Sequence, residues 1–200
     1  MQGKTLVALM GLLFASHAFA AGGDILVRGR VIQVAPSVSS TGTLATLNVD
    51  VDKRVVPELD FTYMLTDNLG AELILATARH DVTANGTSLG KVSHLPPTLT
   101  LQYHFMPNAT FRPYAGLGVN YTRFYKNGLK SGGADLEIEK SSFGGSLQIG
   151  ADYAINKDWY VNVDLKKIYI KTDVSVAGGA KLGTLKINPL VIGAGIGTRF

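Results

Sequence analysis

The chain has 200 residues, 46% of them hydrophobic and 17% charged, with 23 glycines and no cysteine. The lack of cysteine excludes a disulfide framework and thiolate metal sites, and a formal charge of +4 with scattered Lys and Arg excludes a nucleic-acid-binding surface. Beyond the first twenty residues no run approaches the roughly eighteen apolar residues that a spanning helix needs, so this apolar composition has to be carried by strands.

Residues 1–20 read as a cleaved signal peptide: Lys4 gives a positive start, residues 6–15 (LVALMGLLFA) an apolar core, and Ala18-Phe19-Ala20 an A-x-A site. Residues 21–200 are then expected to form one domain. In it, alternation of period two recurs from end to end. A first strand over 24–34 places Val27, Gly29 and Val31 opposite Arg28, Arg30 and Ile32. After a loop at 36–50, a second strand sets Val55, Leu59, Phe61, Tyr63 and Leu65 against Glu58, Asp60, Thr62 and Met64. A turn at 66–68 leads to a third, with Leu69, Ala71, Leu73 and Leu75 against Glu72, Ile74 and Ala76. Past a loop at 80–94 the fourth puts Leu99, Leu101, Tyr103 and Phe105 opposite Thr98, Thr100, Gln102 and His104.

A turn at 106–110 precedes a fifth strand, with Ala115, Leu117, Val119 and Tyr121 on one face and Tyr114, Gly116, Gly118, Asn120 and Thr122 on the other. Past a loop at 126–141 the sixth opposes Phe143, Leu147, Ile149 and Tyr153 to Ser146, Gln148, Gly150 and Asp152. A turn at 155–158 opens the seventh, with Trp159, Val161, Val163, Leu165 and Tyr169 against Asn162, Asp164 and Lys166. A loop at 174–183 joins it to the last strand, where Leu190, Ile192, Ala194, Ile196 and Thr198 alternate with Val191, Gly193, Gly195, Gly197 and Arg199 before the terminal Phe200.

Short turns alternating with long polar loops, and aromatics near strand ends, predict an all-β fold: an eight-stranded antiparallel transmembrane β-barrel of the bacterial outer membrane. A secreted eight-stranded calyx also alternates, but it would turn its apolar face inward and end in a helix and tail. The closing strand ending on Phe200 reads as an assembly signal for the barrel assembly machinery, and outer-membrane lipids and lipopolysaccharide are the expected surroundings.

The face assigned to the lumen carries Arg28, Arg30, Glu58, Asp60, Glu72, Asp152, Asp164, Lys166 and Arg199. An isolated buried charge is costly, so these are expected to form a network of ion pairs; a charge-selective pore is the sharper alternative, disfavoured because eight strands enclose little more than their own side chains. His80, His94 and His104 lack metal-ligand spacing, and no Ser and carboxylate accompany them in triad-like positions, so neither a metal, a cofactor nor catalysis is expected. Pro96 and Pro97 cannot donate ladder hydrogen bonds. They mark either a loop-to-strand boundary or a lateral gap between the third and fourth strands.

The segment His94-Leu95-Pro96-Pro97-Thr98-Leu99, with residues 61–70 (FTYMLTDNLG), 111–122 (FRPYAGLGVNYT), 186–189 (KINP), 197–200 (GTRF) and Asp158-Trp159, resembles the outer membrane protein W family across the whole chain after residue 20. The resemblance implies passive uptake of small hydrophobic solutes, which enter a lumen apolar at its outer end and leave sideways into the membrane. It implies a lateral gate at Leu95, Pro96 and Pro97. Parity and height nominate Ile74, Ala76, Ile168 and Ile170 as the apolar funnel. The competing expectations are a structural or interaction barrel with a filled lumen, and a small ion-permeable channel.

Overall fold

The computed structural model describes residues 21–200; the expected signal peptide lies outside the described residues. Eight long strands run Ile25–Ala35, Arg54–Met64, Leu69–Ala76, Thr98–His104, Phe111–Tyr125, Ser141–Ala154, Trp159–Ile168 and Leu190–Arg199, and are called first to eighth below. Each pairs antiparallel with the next. The first and eighth pair from Leu26↔Arg199 to Ala35↔Leu190, which closes the sheet into a barrel.

Register follows from the period-two pattern, because a slip of one residue would turn every side chain to the wrong face. Arg28 lies directly across from Asp60 and Arg30 from Glu58, so opposite charges are cross-strand neighbours on the inner face. Leu117 sits between Leu101 and Leu147 on the outer face. Burial is inverted relative to a water-soluble domain. Arg28, Asp60 and Glu72 are 0% exposed, whereas Leu117 and Phe143 are 68% and 69% exposed. A continuous apolar belt of this kind is stable only against hydrocarbon. Tyr63, Tyr103, Phe105, Tyr153 and Trp159 stand exposed at its turn end, and Tyr121, Phe143 and Tyr169 at the other, as interfacial girdles.

The turn end is held by local side-chain bonds. Thr66 Oγ1 accepts from the Leu69 amide at 3.0 Å, and Asn156 Oδ1 accepts from the amides of Asp158 and Trp159, both at 2.9 Å. Phe200, 75% exposed, completes the closing seam through paired backbone bonds with Ile25 at 2.9 Å in each direction.

At the opposite end the structure departs from the expected polar loops. Residues 80–94 belong to a hairpin of Ala78–Ala84 and Thr87–Leu95, residues 126–141 contain strands Lys130–Ser131 and Ala134–Ile138, and residues 174–183 lie within the hairpin Lys171–Val176 and Lys181–Lys186. Residues 36–50 hold a 3-10 helix at Gly42–Thr46 and begin the short strand Val49–Val51. The reason is turn chemistry. Asn85-Gly86 (φ 46° and 77°) and Gly132-Gly133 (φ 56° and 85°) take the left-handed conformation that two-residue hairpins require. These segments fold over the barrel mouth as a cap. Its inward side chains, among them Val82, Val92, Leu136, Val174 and Leu185, merge with Ile32, Val34, Phe124, Ile168, Ile170 and Val191 of the upper barrel in one apolar cluster.

Candidate functional site

The lumen has two zones. The lower one is a plug of charged and polar side chains. Arg28 is bidentate to Asp152 (Nε–Oδ1 3.2 Å, Nη2–Oδ2 2.9 Å) and donates through Nη1 to Asp60 at 3.1 Å and to Thr62 Oγ1 at 2.9 Å. Arg30 meets Glu58 at 2.7 Å, Asp60 at 2.6 Å, Glu72 at 3.3 Å and Asp164 at 3.6 Å. Lys166 bridges Asp164 at 2.6 Å and Glu58 at 3.0 Å. Planar guanidinium groups suit this role, since each presents a fork of donors to several carboxylates at once.

Of the nine charged residues assigned to the lumen, the structure brings eight together here. Arg199 lies apart at the turn end, 3.6 Å from Asp24. Sequence reading left out the neutral members of the plug. Tyr114 donates to Asp164 at 3.0 Å, Gln148 to Glu72 at 3.1 Å and to Asp164 at 2.7 Å, and Asn162 to Asp152 at 2.7 Å. The guanidinium of Arg28 also lies over the rings of Tyr114 and Tyr160, at 5.4 and 5.7 Å. All of these share the parity of the charged set, which was the signal available for them.

The upper zone is apolar. Ile74, Ala76, Ile168 and Ile170, together with Pro96, line one small cavity of about 20 Å3 directly above the plug. Beside it the wall of the barrel is interrupted. The third and fourth strands pair from Leu69↔Tyr103 up to Ile74↔Thr98, and pairing resumes only at Ala78↔His94 in the cap hairpin. Between these points Leu75, Ala76 and Thr77 face Leu95, Pro96 and Pro97. On the fifth-strand side the prolines are anchored: Asn120 Nδ2 donates to both their carbonyls at 3.1 and 3.2 Å, and the Tyr121 amide donates to that of Pro97 at 3.1 Å. On the third-strand side the upper lip is tied by Thr77 Oγ1, which donates to the His94 carbonyl at 3.2 Å. Outside, an open groove lined by Val31, Leu59, Leu75 and Leu95 leads up to Ala76 and Thr77.

Above the seam His94 sits in the cap, three residues beyond the girdle level in register with Phe124, and stacks on His80. Burial, with the neighbouring His80, lowers its pKa from 6.5 to about 4, so the ring is neutral at pH 7. His104 is far away, at the lower end beside Tyr114, 5.2 Å between ring centroids. Ser93 is buried in the cap strand beside His94.

A closed eight-stranded barrel with an apolar belt, aromatic girdles and an ion-paired interior defines a bacterial outer-membrane β-barrel. A family model described as the OmpW family matches residues 21–200, and the chain belongs to that family. It is 42% identical over 184 residues to the outer-membrane protein y4mB of Sinorhizobium fredii, covering 88% of this chain and 79% of that one. It is 37% identical to outer membrane protein W of Escherichia coli over 203 residues, covering 96% and 93%. The dibenzothiophene metabolism operon protein PahQ of Pseudomonas aeruginosa is 34% identical over 151 residues, 70% of this chain and 69% of that protein. Among solved structures, OprG of Pseudomonas aeruginosa superposes with a TM-score of 0.81 at 31% identity, covering 92% of this chain and 98% of that one. The protein resides in the outer membrane of a Gram-negative cell, in contact with its lipids; in barrels of this class the short turns lie on the periplasmic side and the long connections outside.

Proposed function

We propose that this barrel carries small hydrophobic molecules from the cell exterior into the outer membrane, releasing them sideways through the seam beside Pro96 and Pro97. The observation that carries the reading is the coincidence of two features at one height, an apolar lumen and a break in the ladder, directly above a charged plug. The plug opposes direct passage to the periplasm, because an apolar solute there would have to displace ion pairs without replacing them. Sideways release needs no energy source, since moving apolar surface into hydrocarbon is itself favourable, by roughly 25 cal/mol per Å2. Leu95, Pro96 and Pro97 are the gate and Ile74, Ala76, Ile168 and Ile170 the funnel in this reading. The PahQ relative, named for an operon that handles an apolar aromatic heterocycle, supports the solute class.

Lipopolysaccharide surrounds the cap in this reading. The C-terminal strand, ending at Phe200, is what the assembly machinery engages.

Replacing Pro96 and Pro97 together by threonine and valine tests the gate, because the replacements restore two backbone donors, of which the one at position 96 faces the third strand and the one at position 97 the fifth. Uptake of a labelled small hydrocarbon by cells carrying the variant should fall several-fold, with folding verified by the heat-dependent gel mobility of the barrel. Unchanged uptake in a folded variant overturns the proposal. A second reading, an interaction barrel with a filled lumen, draws on the packed apolar cluster that joins cap and upper barrel. It predicts that the unaltered protein gives no uptake over barrel-free cells.

A further inference from the structure

The cap encloses a second cavity, of about 50 Å3, walled by aliphatic side chains such as Val51, Leu129 and Leu185. Two imidazoles interrupt this wall. His80 and His94 stack with ring centroids 5.0 Å apart and planes 20° apart. His94 also lines the smaller cavity beside Pro96, so it partitions the two. His80 is only 3% exposed.

The nitrogens of His80 are not equivalent. Nδ1 lies 2.7 Å from the Asp52 carbonyl oxygen, with Asp52 Oδ1 at 3.4 Å. Carbonyl and carboxylate oxygens only accept, so the hydrogen resides on Nδ1. With the hydrogen on Nδ1, Nε2 of the neutral ring presents a lone pair. That atom is buried and has no hydrogen-bond partner among the described residues. Buried acceptors are almost always satisfied. Water suits this one poorly, because a buried water seeks two to four polar partners. The third polar side chain on the wall, Thr172, already donates to the carbonyls of Glu139 and Asp173, at 3.3 and 3.4 Å.

We propose that the cap cavity binds small aliphatic alcohols, the hydroxyl donating to His80 Nε2 and the alkyl chain lying along the aliphatic wall. The proposal rests on the passage reading above and places this site at its outer entrance. Ethers, ketones and esters bring no donor to a lone pair. An ammonium would donate, but it would leave a charge without a counter-ion in an apolar chamber. A cavity of about 150 Å3 holds the six heavy atoms of benzene, so one of about 50 Å3 takes roughly two heavy atoms at rest, a C–O unit. Longer alcohols extend past His94 towards the seam.

The test is a titration of the full folded barrel in lipid nanodiscs, with 15N-labelled histidine, using 1-butanol, its isomer methyl propyl ether, and pentane. The His80 Nε2 resonance should move saturably with 1-butanol, at roughly tenfold lower concentration than any response to the ether. Pentane should leave it in place. His80→Phe, which keeps a ring for the stack, should abolish the preference for alcohol over ether in displacing a bound fluorescent hydrocarbon. The titration of the unaltered barrel stands whether or not that variant folds. An Nε2 signal unmoved by butanol, already in the hydrogen-bonded position before alcohol is added, or moved equally by the ether overturns the site. If the site responds but cells take up no hydrocarbon, the passage reading fails; if uptake persists without an Nε2 response, only the site fails.

Discussion

Arg30 shows how single residues set the character of the lumen. Its guanidinium touches four carboxylates contributed by four different positions of the chain, Glu58, Asp60, Glu72 and Asp164. Removing such a group leaves carboxylates buried without compensation, and breaking a buried pair costs about 3–5 kcal/mol. Arg30→Met should therefore lower the unfolding free energy in lipid vesicles by that order, read from guanidinium chloride titration. A loss below about 1 kcal/mol would mean that water reaches the network. Small residues matter on the same face. A Cβ on Gly150 would lie 2.4 Å from the Tyr114 ring, and one on Gly197 2.4 Å from the Tyr160 ring, so these glycines make room for the tyrosines beneath Arg28.

At the scale of elements, the seam and the cap hairpin act as one unit, joined where pairing restarts at Ala78↔His94. His94 faces His80, Phe124 and Ala78; His80 in turn contacts Asp52, and Thr77 at the lip shares a hydrogen bond with the Tyr125 hydroxyl. The pKa of His94 is about 4 when the cap is closed and 6.5 when the ring is free, so the open cap binds the extra proton. The contribution of His94 to closure is thus complete above pH 6.5, declines as pH falls through the interval, and loses nothing more below about 4. The full loss is about 3 kcal/mol. Amide protection across residues 78–95, corrected for intrinsic exchange, should drop between pH 7 and pH 4.5, and His94→Phe should remove most of that dependence. Equal loss of protection in the variant would place the pH sensitivity elsewhere.

For the whole molecule, the lower lumen decides what cannot pass. The side chains of Arg28, Arg30, Asp60, Glu72 and Asp164 are 0% exposed and cross-linked from several strands. An interior this narrow and this densely ion-paired opposes a hydrated path. Purified barrel in planar bilayers should show no ohmic conductance above the lipid background, in contrast with a porin of wide lumen. Steady single-channel currents would favour the ion-permeable alternative over lateral release.

Much of this was legible in the residue order. A two-residue period assigns each side chain to lipid or lumen, since strand geometry allows no other alternation, and it yields eight strands, their faces and the inward charges from Arg28 to Lys166. The hairpins of the cap were signalled by Asn85-Gly86 and Gly132-Gly133, but polar composition made those segments resemble loops. Alternation carries no information about height or partners across the lumen. Tertiary structure alone decided that Arg199 meets Asp24 while Arg30 gathers four carboxylates, because those contacts depend on how strands shear around a closed barrel. It alone set Pro96 and Pro97 opposite Ala76 and Leu75, and folded the cap to bury His80 in the wall of an apolar chamber. Faces follow from local stereochemistry; neighbours across the lumen follow from closure.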